Sequence, residues 1–360
     1  MFKIELDTNG RLAVPNWIKG ASVHTRILAT LLMIAGAFPA SAQSPNEVYK
    51  SQEVRFTVGS APGGGYDTFA RLLAPYLSKT LGTSVVVENV PGAGGLTALN
   101  RIYASKPEGL QIMIVNGVAA AMSQIVSQDS VRYDLAKFPN LGIVNAEPWV
   151  WMVGPGSSIK EPSAVVGSTT RIVWGASGLI SGLSDGAAMT CEALDLNCVI
   201  ISGYKGSNDV AVAMGRGEVD AMYVSELPAQ NYAGSGLGRP LIAMSRKRVA
   251  AFPDIPTIFE AVRLTEGQKN KIGFRIDIDE LGRILVVAPG TPANRLQYLQ
   301  SSVAKVIRDE ALLQEASQRK LYVDYRTPDE TAALVDSIFS RATLELRASI
   351  TEIATKKYRQ

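Results

Sequence analysis

Histidine is the scarcest chemically useful residue of this chain, because the 360-residue sequence contains only His24. A Ser-His or Cys-His nucleophile pair and a histidine metal site therefore have at most one candidate residue. That residue lies in an N-terminal stretch that we expect to be removed. An enzyme built on the remaining sequence would have to use carboxylates, lysine or tyrosine, and no paired set of these at a plausible spacing stands out.

The N-terminal stretch has the three parts of a secretory signal. His24 and Arg26 form a basic flank, the range 27–38 is apolar, and an Ala-Ser-Ala site ends at Ala42. The apolar run is shorter than the roughly 20 residues that span a bilayer. We therefore expect residues 1–42 to be a signal peptide that is cleaved after Ala42, and the mature chain to be periplasmic.

Neither sign of charge is in excess. The chain carries 36 Lys and Arg against 33 Asp and Glu, and removal of residues 1–42 takes away four basic and two acidic residues, which leaves 32 against 31. The mature chain has no basic stripe, and this argues against nucleic acid as a partner.

Cysteine is also scarce, with Cys191 and Cys198 as the only two. In an exported protein, a pair this close in sequence favours a local disulfide. The spacing is not C-x-x-C, so a thioredoxin-type redox motif is disfavoured. Two buried free thiols remain the alternative.

What the sequence does contain is an alternation of strand-like runs with amphipathic segments of helix length. This pattern is typical of an α/β fold with mainly parallel sheets, and the length favours two domains. The range 54–117 reads β-α-β-α-β, which the right-handed crossover rule turns into a three-stranded parallel unit. A second set of strands and helices begins at about Leu141. The range 327–357 is predicted to form one long amphipathic helix that begins at its Thr-Pro-Asp.

Two glycine-rich loops follow the first two predicted strands, and each precedes a helix pattern. They are the ranges 61–67, APGGGYD, and 92–96, GAGGL. Glycine lets backbone N–H groups approach a ligand closely, and a helix N-terminus favours an anion. Because the carboxyl ends of adjacent parallel strands meet at one edge of the sheet, we expect the two loops to face each other there.

Each glycine loop taken alone is also compatible with a tight turn that binds nothing. A Walker-type phosphate loop is excluded because neither run ends in Gly-Lys-Ser/Thr, and the second loop fits a dinucleotide fingerprint poorly. Asp67 is placed to cap the following helix through its side chain. Two polar turns of the second strand set, at 177–178 and 204–207, are expected to close over the ligand from the opposite side.

The candidate ligand-binding residues are therefore those of four loops and of the end of the third strand. They are Ala61, Pro62, Gly63, Gly64, Gly65, Tyr66, Asp67, Gly92, Ala93, Gly94, Gly95, Leu96, Asn116, Ser177, Gly178, Tyr204, Lys205, Gly206 and Ser207.

Five motifs, in this order, carry a family resemblance: APGGGYDTFARLL, VVVENVPGAGGLTALNRI, GYKGSNDVAVAMGRGEVDAM, FPDIPTIFEA and VVAPGTPANRLQYL. Together they resemble the extracytoplasmic solute-binding receptors of tripartite tricarboxylate transporters, often called Bug receptors. The resemblance covers nearly the whole mature chain. It implies a two-lobed, type II-like periplasmic binding protein of the Venus-flytrap kind. The implied lobes are residues 43–143 with 245–360, and residues 144–244.

The resemblance also implies a function. A small organic carboxylate would bind to backbone groups in the interlobe cleft and be delivered to the membrane subunits of the transporter. The protein would be a monomer with no cofactor, no metal and no catalytic activity. Many members read PPGGGTD where this chain reads SAPGGGYD, so Tyr66 adds bulk beside the ligand, and Val90 stands where an arginine is frequent.

Three other functions remain open at this point. A ligand-sensing input for a membrane signalling protein would use the same fold, whereas a periplasmic carboxylate-modifying enzyme would need an acid-base set. A structural envelope protein would have no use for opposed glycine loops.

Overall fold

The computed structural model describes residues 45–50, 52–126, 129–164, 169–178 and 181–359. The expected signal peptide and its cleavage site lie outside the described residues. The described residues from Val48 onward form one compact unit. Within the described ranges, no helix combines the length and the apolar character needed to cross a membrane.

The regular elements of the described chain alternate as the sequence pattern predicts. The strands are β1 Val54–Val58, β2 Val85–Asn89, β3 Gln111–Asn116, β4 Asn140–Asn145, β5 Trp149–Val153, β6 Ile172–Gly175, β7 Cys198–Ile201, β8 Ala221–Ser225, β9 Arg239–Met244 and β10 Arg283–Val286. The α-helices are α1 Pro45–Lys50, α2 Gly65–Leu81, α3 Leu96–Tyr103, α4 Gly117–Ile125, α5 Gly182–Leu194, α6 Ser207–Gly215, α7 Glu226–Gly234, α8 Ile258–Ala261, α9 Glu266–Asp279, α10 Ala293–Ile307, α11 Glu310–Gln318, α12 Pro328–Arg341 and α13 Leu344–Glu352.

The first sheet has the strand order β2-β1-β3-β10-β4. Strands β1, β2 and β3 are parallel, which confirms the predicted three-stranded unit. Strand β10 is antiparallel to both of its neighbours, so four of the five strands run in one direction. The carboxyl ends of β1, β2, β3 and β4 therefore share one edge with the start of β10.

The second sheet repeats this plan with the order β7-β6-β8-β5-β9. Strands β6, β7 and β8 are parallel, and β5 is antiparallel to both β8 and β9. Both sheets are thus mixed but mainly parallel, as expected of a two-lobed α/β fold. The chain passes from the first sheet to the second between β4 and β5, and it returns after β9.

Helix α9 joins the two halves of the structure, and the sequence pattern did not indicate it. The helix packs against α4, which covers the first sheet, and against α5, which covers the second. Phe274 and Ile278 belong to the apolar cluster of the first sheet, whereas Ile272 and Ile276 belong to that of the second. Contacts therefore cross the implied lobe boundaries at 143–144 and 244–245, and those boundaries stay a prediction.

A buried charged cluster lies where α9 meets α5. Arg275 is 2% exposed and forms an ion pair of 2.9 Å with Asp279. Asp279 also accepts a hydrogen bond of 2.6 Å from the Tyr223 hydroxyl. Burial raises the pKa of Asp279 to about 6 and, despite the nearby Arg275 charge, the pKa of Asp185 to about 7. Arg275 is thus a nearby cation of two buried carboxyl groups, and their burial away from water destabilises their charged forms.

The prediction of a single C-terminal helix from 327 to 357 is wrong at its middle. Its beginning is confirmed, because Thr327 and Glu330 form a capping box at the start of α12. The helix ends at Arg341, and the Thr343 side chain accepts a hydrogen bond from the Leu346 N–H to start α13. The hydroxyl of Thr343 offers the backbone a local partner that favours a new helix start.

The disulfide prediction is confirmed, because Cys191 and Cys198 are bonded, with 6.2 Å between their Cα atoms. The bridge joins the last turn of α5 to the first residue of β7. It therefore closes the short connection behind the second sheet, on the side away from the carboxyl ends of its parallel strands.

Candidate functional site

Three helices begin at the carboxyl edge of the first sheet. Helix α2 follows β1, α3 follows β2, and α4 follows β3 directly. The first N–H groups of each helix have no partner within that helix, and the helix dipole adds partial positive charge at this end. At α4 two of these donors are already used, because the Gly117 N–H donates to the Gly282 carbonyl and the Ala119 N–H donates to the Asn116 side chain. The donors that this edge can offer to an anion are therefore mainly those of α2 and α3.

The segment that leads from β1 into the first glycine loop meets the second glycine loop at this edge. A Cβ placed on Gly59 would lie 3.0 Å from the Cα of Gly95, so the chain after β1 touches the chain after β2. Gly95 itself has φ +99°, a conformation that glycine adopts readily. Gly59 lies just ahead of the first loop, so this contact agrees with the expectation that the two loops face each other, which stays a prediction. Glycine at both positions permits the close approach.

A cavity of about 300 Å³ opens beside this contact. Its polar lining includes Ser60, Asn116 and the backbone of the second glycine loop, and the lining that the described residues provide contains no charged side chain. The Ser60 hydroxyl is buried and has no hydrogen-bond partner among the described residues. The apolar part of the lining consists of Pro91, Leu96, Leu99, Met113, Ile114, Val115, Ala119 and Ala120.

The shape of the first glycine loop depends on Asp67. Its carboxylate accepts hydrogen bonds from the Gly63 N–H at 2.8 Å, from Asn89 Nδ2 at 2.9 Å and from Arg71 Nε at 2.9 Å. Asn89 Nδ2 also donates to the Ser60 carbonyl at 3.0 Å. The prediction that Asp67 caps α2 is therefore wrong, because the N-cap is Gly64 and Asp67 is the third residue of the helix, from which its carboxylate reaches back to the loop. The N–H of Gly63 is already used within the protein.

These hydrogen bonds hold the pKa of Asp67 at about 2, with the bond from Arg71 as the largest cause. Because the folded pKa lies below the ordinary value, Asp67 stabilises the folded loop above about pH 4, and this contribution is lost only as the pH falls through about 2. The loop is expected to keep its shape over the whole physiological range. Asn89, which binds both Asp67 and the Ser60 carbonyl, was not singled out from the sequence, although its place at the end of β2, next to the second loop, was a signal.

Tyr66 occupies the boundary between the cavity and a charged pair. Its side chain lines the cavity, and burial raises the pKa of its hydroxyl to about 12. The Arg283 guanidinium carbon lies 5.1 Å from the centre of the Tyr66 ring, and Arg283 Nη1 lies 3.1 Å from a carboxylate oxygen of Glu147. Neither Arg283 nor Glu147 was singled out from the sequence.

The loops of the second sheet lie at its own carboxyl edge. Ser177 and Gly178 follow β6 and are partly exposed, and Ser181 caps α5 by accepting from the Ser184 N–H. A Cβ on Gly182 would lie 2.3 Å from the Trp149 ring, so glycine is required where α5 begins.

The turn 204–207 precedes α6, as predicted. Lys205 is exposed, and its backbone N–H donates to Asp209 at 3.3 Å. The Ser207 hydroxyl accepts from the Tyr232 hydroxyl at 2.8 Å. The hydroxyl of Ser207 thus has a protein partner, whereas the Lys205 side chain is open to solvent.

The predicted site residues fall into three groups. Six line the cavity, and these are Tyr66, Gly92, Gly94, Gly95, Leu96 and Asn116. Ala61 to Gly65 and Ala93 form the exposed rims of the two loops, and Asp67 is buried beneath the first. Ser177, Gly178 and the range 204–207 belong to the second sheet. No group of three or more metal-ligating side chains is assembled among the residues that the structure describes.

A family model described as "Tripartite tricarboxylate transporter family receptor" matches residues 69–342 of the chain. A UPF0065 protein of Bordetella bronchiseptica is 28% identical over 293 residues, which cover 80% of this chain and 82% of the relative.

Solved structures share the fold. A TctC solute-binding protein from Polaromonas superimposes with a TM-score of 0.68 at 20% identity, covering 85% of this chain and 99% of that one. An R. palustris protein whose structure contains adipate superimposes with a TM-score of 0.64 at 21% identity, covering 84% of this chain and 97% of the other.

Proposed function

Since this chain belongs to the tripartite tricarboxylate transporter receptor family, a family of solute-binding receptors, we propose that it captures a small organic carboxylate between its two sheets and delivers it to the membrane subunits of such a transporter. The expected lobes are residues 43–143 with 245–360, and 144–244. The receptor acts as a periplasmic monomer and needs neither cofactor nor catalysis.

The observation that carries the proposal is the contact, beside the cavity, between the segment just ahead of the first glycine loop and the second glycine loop. Gly59 and Gly95 touch, three helices begin around them, and the cavity lining offers backbone N–H groups and the unpartnered Ser60 hydroxyl. A carboxylate accepts several such hydrogen bonds without needing a cationic side chain. The adipate in the R. palustris relative agrees with this chemistry.

The ligand is expected to sit at the carboxyl edge of the first sheet and to be covered by the loops of the second. Ser177, Gly178 and the turn 204–207 occupy the corresponding edge of that sheet. The chain crosses between the sheets twice, once through the short segment between β4 and β5 and once through the longer segment between β9 and β10 that contains α8 and α9. Such crossings allow hinge closure around a ligand.

A thermal-shift and calorimetry panel of acetate, succinate, adipate and citrate tests the proposal. A ligand that binds only the folded protein stabilises it by about 2.7 kcal/mol at a hundredfold excess over Kd. We expect at least one of these acids to bind, and its fully esterified form to have no effect. If none of the acids shifts the melting temperature, the proposal fails.

The absence of catalysis is tested separately. Stoichiometric protein is incubated with the best ligand of the panel, and the ligand is followed by NMR. We expect the spectrum of the ligand to stay unchanged, whereas conversion of more than one equivalent would show an enzyme.

A further inference from the structure

Arg283 brings a positive charge to the base of the first glycine loop. It is the first residue of β10 and lies opposite Asn116 and Asn145, at the edge where the parallel strands end. Its guanidinium carbon is 4.6 Å from the centre of the Phe69 ring, and a Cβ on Gly65 would lie 3.2 Å from its Nη2. The guanidinium therefore packs directly under the start of α2.

The guanidinium has more donors than the described residues satisfy. Nη1 donates to the side-chain oxygen of Asn145 and lies 3.1 Å from Glu147, whereas the buried Nε has no partner. The side chain is 16% exposed, so water reaches it only in part. A guanidinium carries five N–H donors in a planar fork, and a donor that has no hydrogen-bond partner in a partly buried site costs free energy.

Glu147 is placed to give way to another anion. It lies in the crossover between β4 and β5 and is 10% exposed. It also faces a second carboxyl group: burial raises the pKa of Glu226, and the negative charge of Glu147 raises it further. Glu147 and Glu226 line the same cavity, so the ion pair of Glu147 with Arg283 forms beside a second carboxyl group whose negative charge repels Glu147.

We propose that Arg283 is a specificity residue of the cleft, and that a carboxylate of the ligand replaces Glu147 as its partner. This inference rests on the proposed carboxylate-binding function. One carboxylate binds the N–H groups of the glycine loops, and a second reaches the guanidinium past Tyr66. The planar fork of arginine suits a carboxylate, so the exchange favours ligands with two negative charges over ligands with one.

The experiment compares succinate and adipate with their monomethyl esters by calorimetry. In the Arg283→Met variant we expect binding of the diacid to weaken by about 10- to 100-fold, the range for a hydrogen bond to a charged group, while the ester is nearly unaffected. The Glu147→Gln variant should bind the diacid more tightly than the parent, because the internal competitor has lost its charge. Arg319→Met, which removes a half-exposed arginine paired with Glu315 on α11, is the matched control and should change neither.

The outcomes separate this inference from the proposed function. If Arg283→Met weakens diacid and ester equally, or if Glu147→Gln fails to tighten the diacid, Arg283 is only a structural residue and the inference is overturned. If the parent binds acetate or citrate but neither diacid, the inference is overturned while the receptor function stands. If the parent binds no carboxylate, both are overturned. The Glu147→Gln result decides the matter should Arg283→Met not fold.

Discussion

Alanine at Gly64 separates a ligand-binding role of the first loop from a turn role. Gly64 has φ −78° and ψ 169°, an extended conformation open to any residue. A Cβ there would meet the Ala61 carbonyl at 3.7 Å and the Ser60 hydroxyl at 3.8 Å, both ordinary contacts. The Gly64→Ala variant should therefore fold at least as stably as the parent, with a gain of up to about 1 kcal/mol from the unfolded chain.

Ligand binding should respond in the opposite direction. If the N–H groups at the start of α2 bind a carboxylate, the added methyl group stands in the path of the anion. We expect a loss of about 1 to 3 kcal/mol in binding, as for impaired hydrogen bonds to a charged group. The Gly63→Ala variant should instead lose folding stability, because Gly63 has φ +86° and an alanine in the left-handed region costs roughly 1–2 kcal/mol.

The assay is calorimetric titration with the best acid of the panel, beside urea unfolding of each variant. Gly156→Ala is the control, because a Cβ there meets nothing within 4 Å and the residue follows the end of β5, at the opposite edge of the second sheet. The reasoning is refuted if Gly64→Ala binds as tightly as the parent, since the loop would then be only a turn.

Three further predictions concern the second sheet. The folded pKa of Asp185, about 7, lies above its unfolded value of 3.8, so the charge of Asp185 costs stability as the pH rises through 7. The Asp185→Asn variant should therefore gain stability relative to the parent between pH 5 and 8 in urea unfolding. A pH-independent difference between variant and parent would contradict this. Gly186→Ala should destabilise by about 1–3 kcal/mol or more, because its Cβ would lie 2.2 Å from the Tyr223 ring; a parent-like midpoint would refute it. Reduction of the Cys191–Cys198 bridge should lower the free energy of unfolding by about 2.5 kcal/mol, and an unchanged urea midpoint under reducing conditions would contradict that value.

The local elements of the fold were predictable because each has a short-range cause. The β-α-β order, the capping box at Thr327 and the Cys191–Cys198 bridge depend on residues within a few positions of one another. The family motifs also identified the two-lobed fold. The break at Arg341 was missed because amphipathic periodicity continues across it, and Thr343 offers a second cap inside the pattern.

The glycine loops were predictable as candidates, but their partners were not. Strand order places β2 next to β1, and this brings Asn89 to Asp67, 22 positions earlier in the chain. Helix α9 lacked a helical signal because its buried apolar residues, from Ile272 to Ile278, recur at every second position, and Arg275 and Asp279 are buried with them. Their charges are tolerated only because α5 and β8 supply partners.

Arg283 shows most clearly which features the sequence predicts and which depend on the tertiary structure. The apolar run that follows Arg283, ahead of Pro289 and a helix start, is a local pattern that indicates a strand. Only the tertiary structure decided that this strand inserts antiparallel between β3 and β4, 138 positions from Asn145 and 136 from Glu147. That insertion places the start of the strand, and its charge, at the edge where the parallel strands end, because antiparallel strands reverse which end faces the ligand.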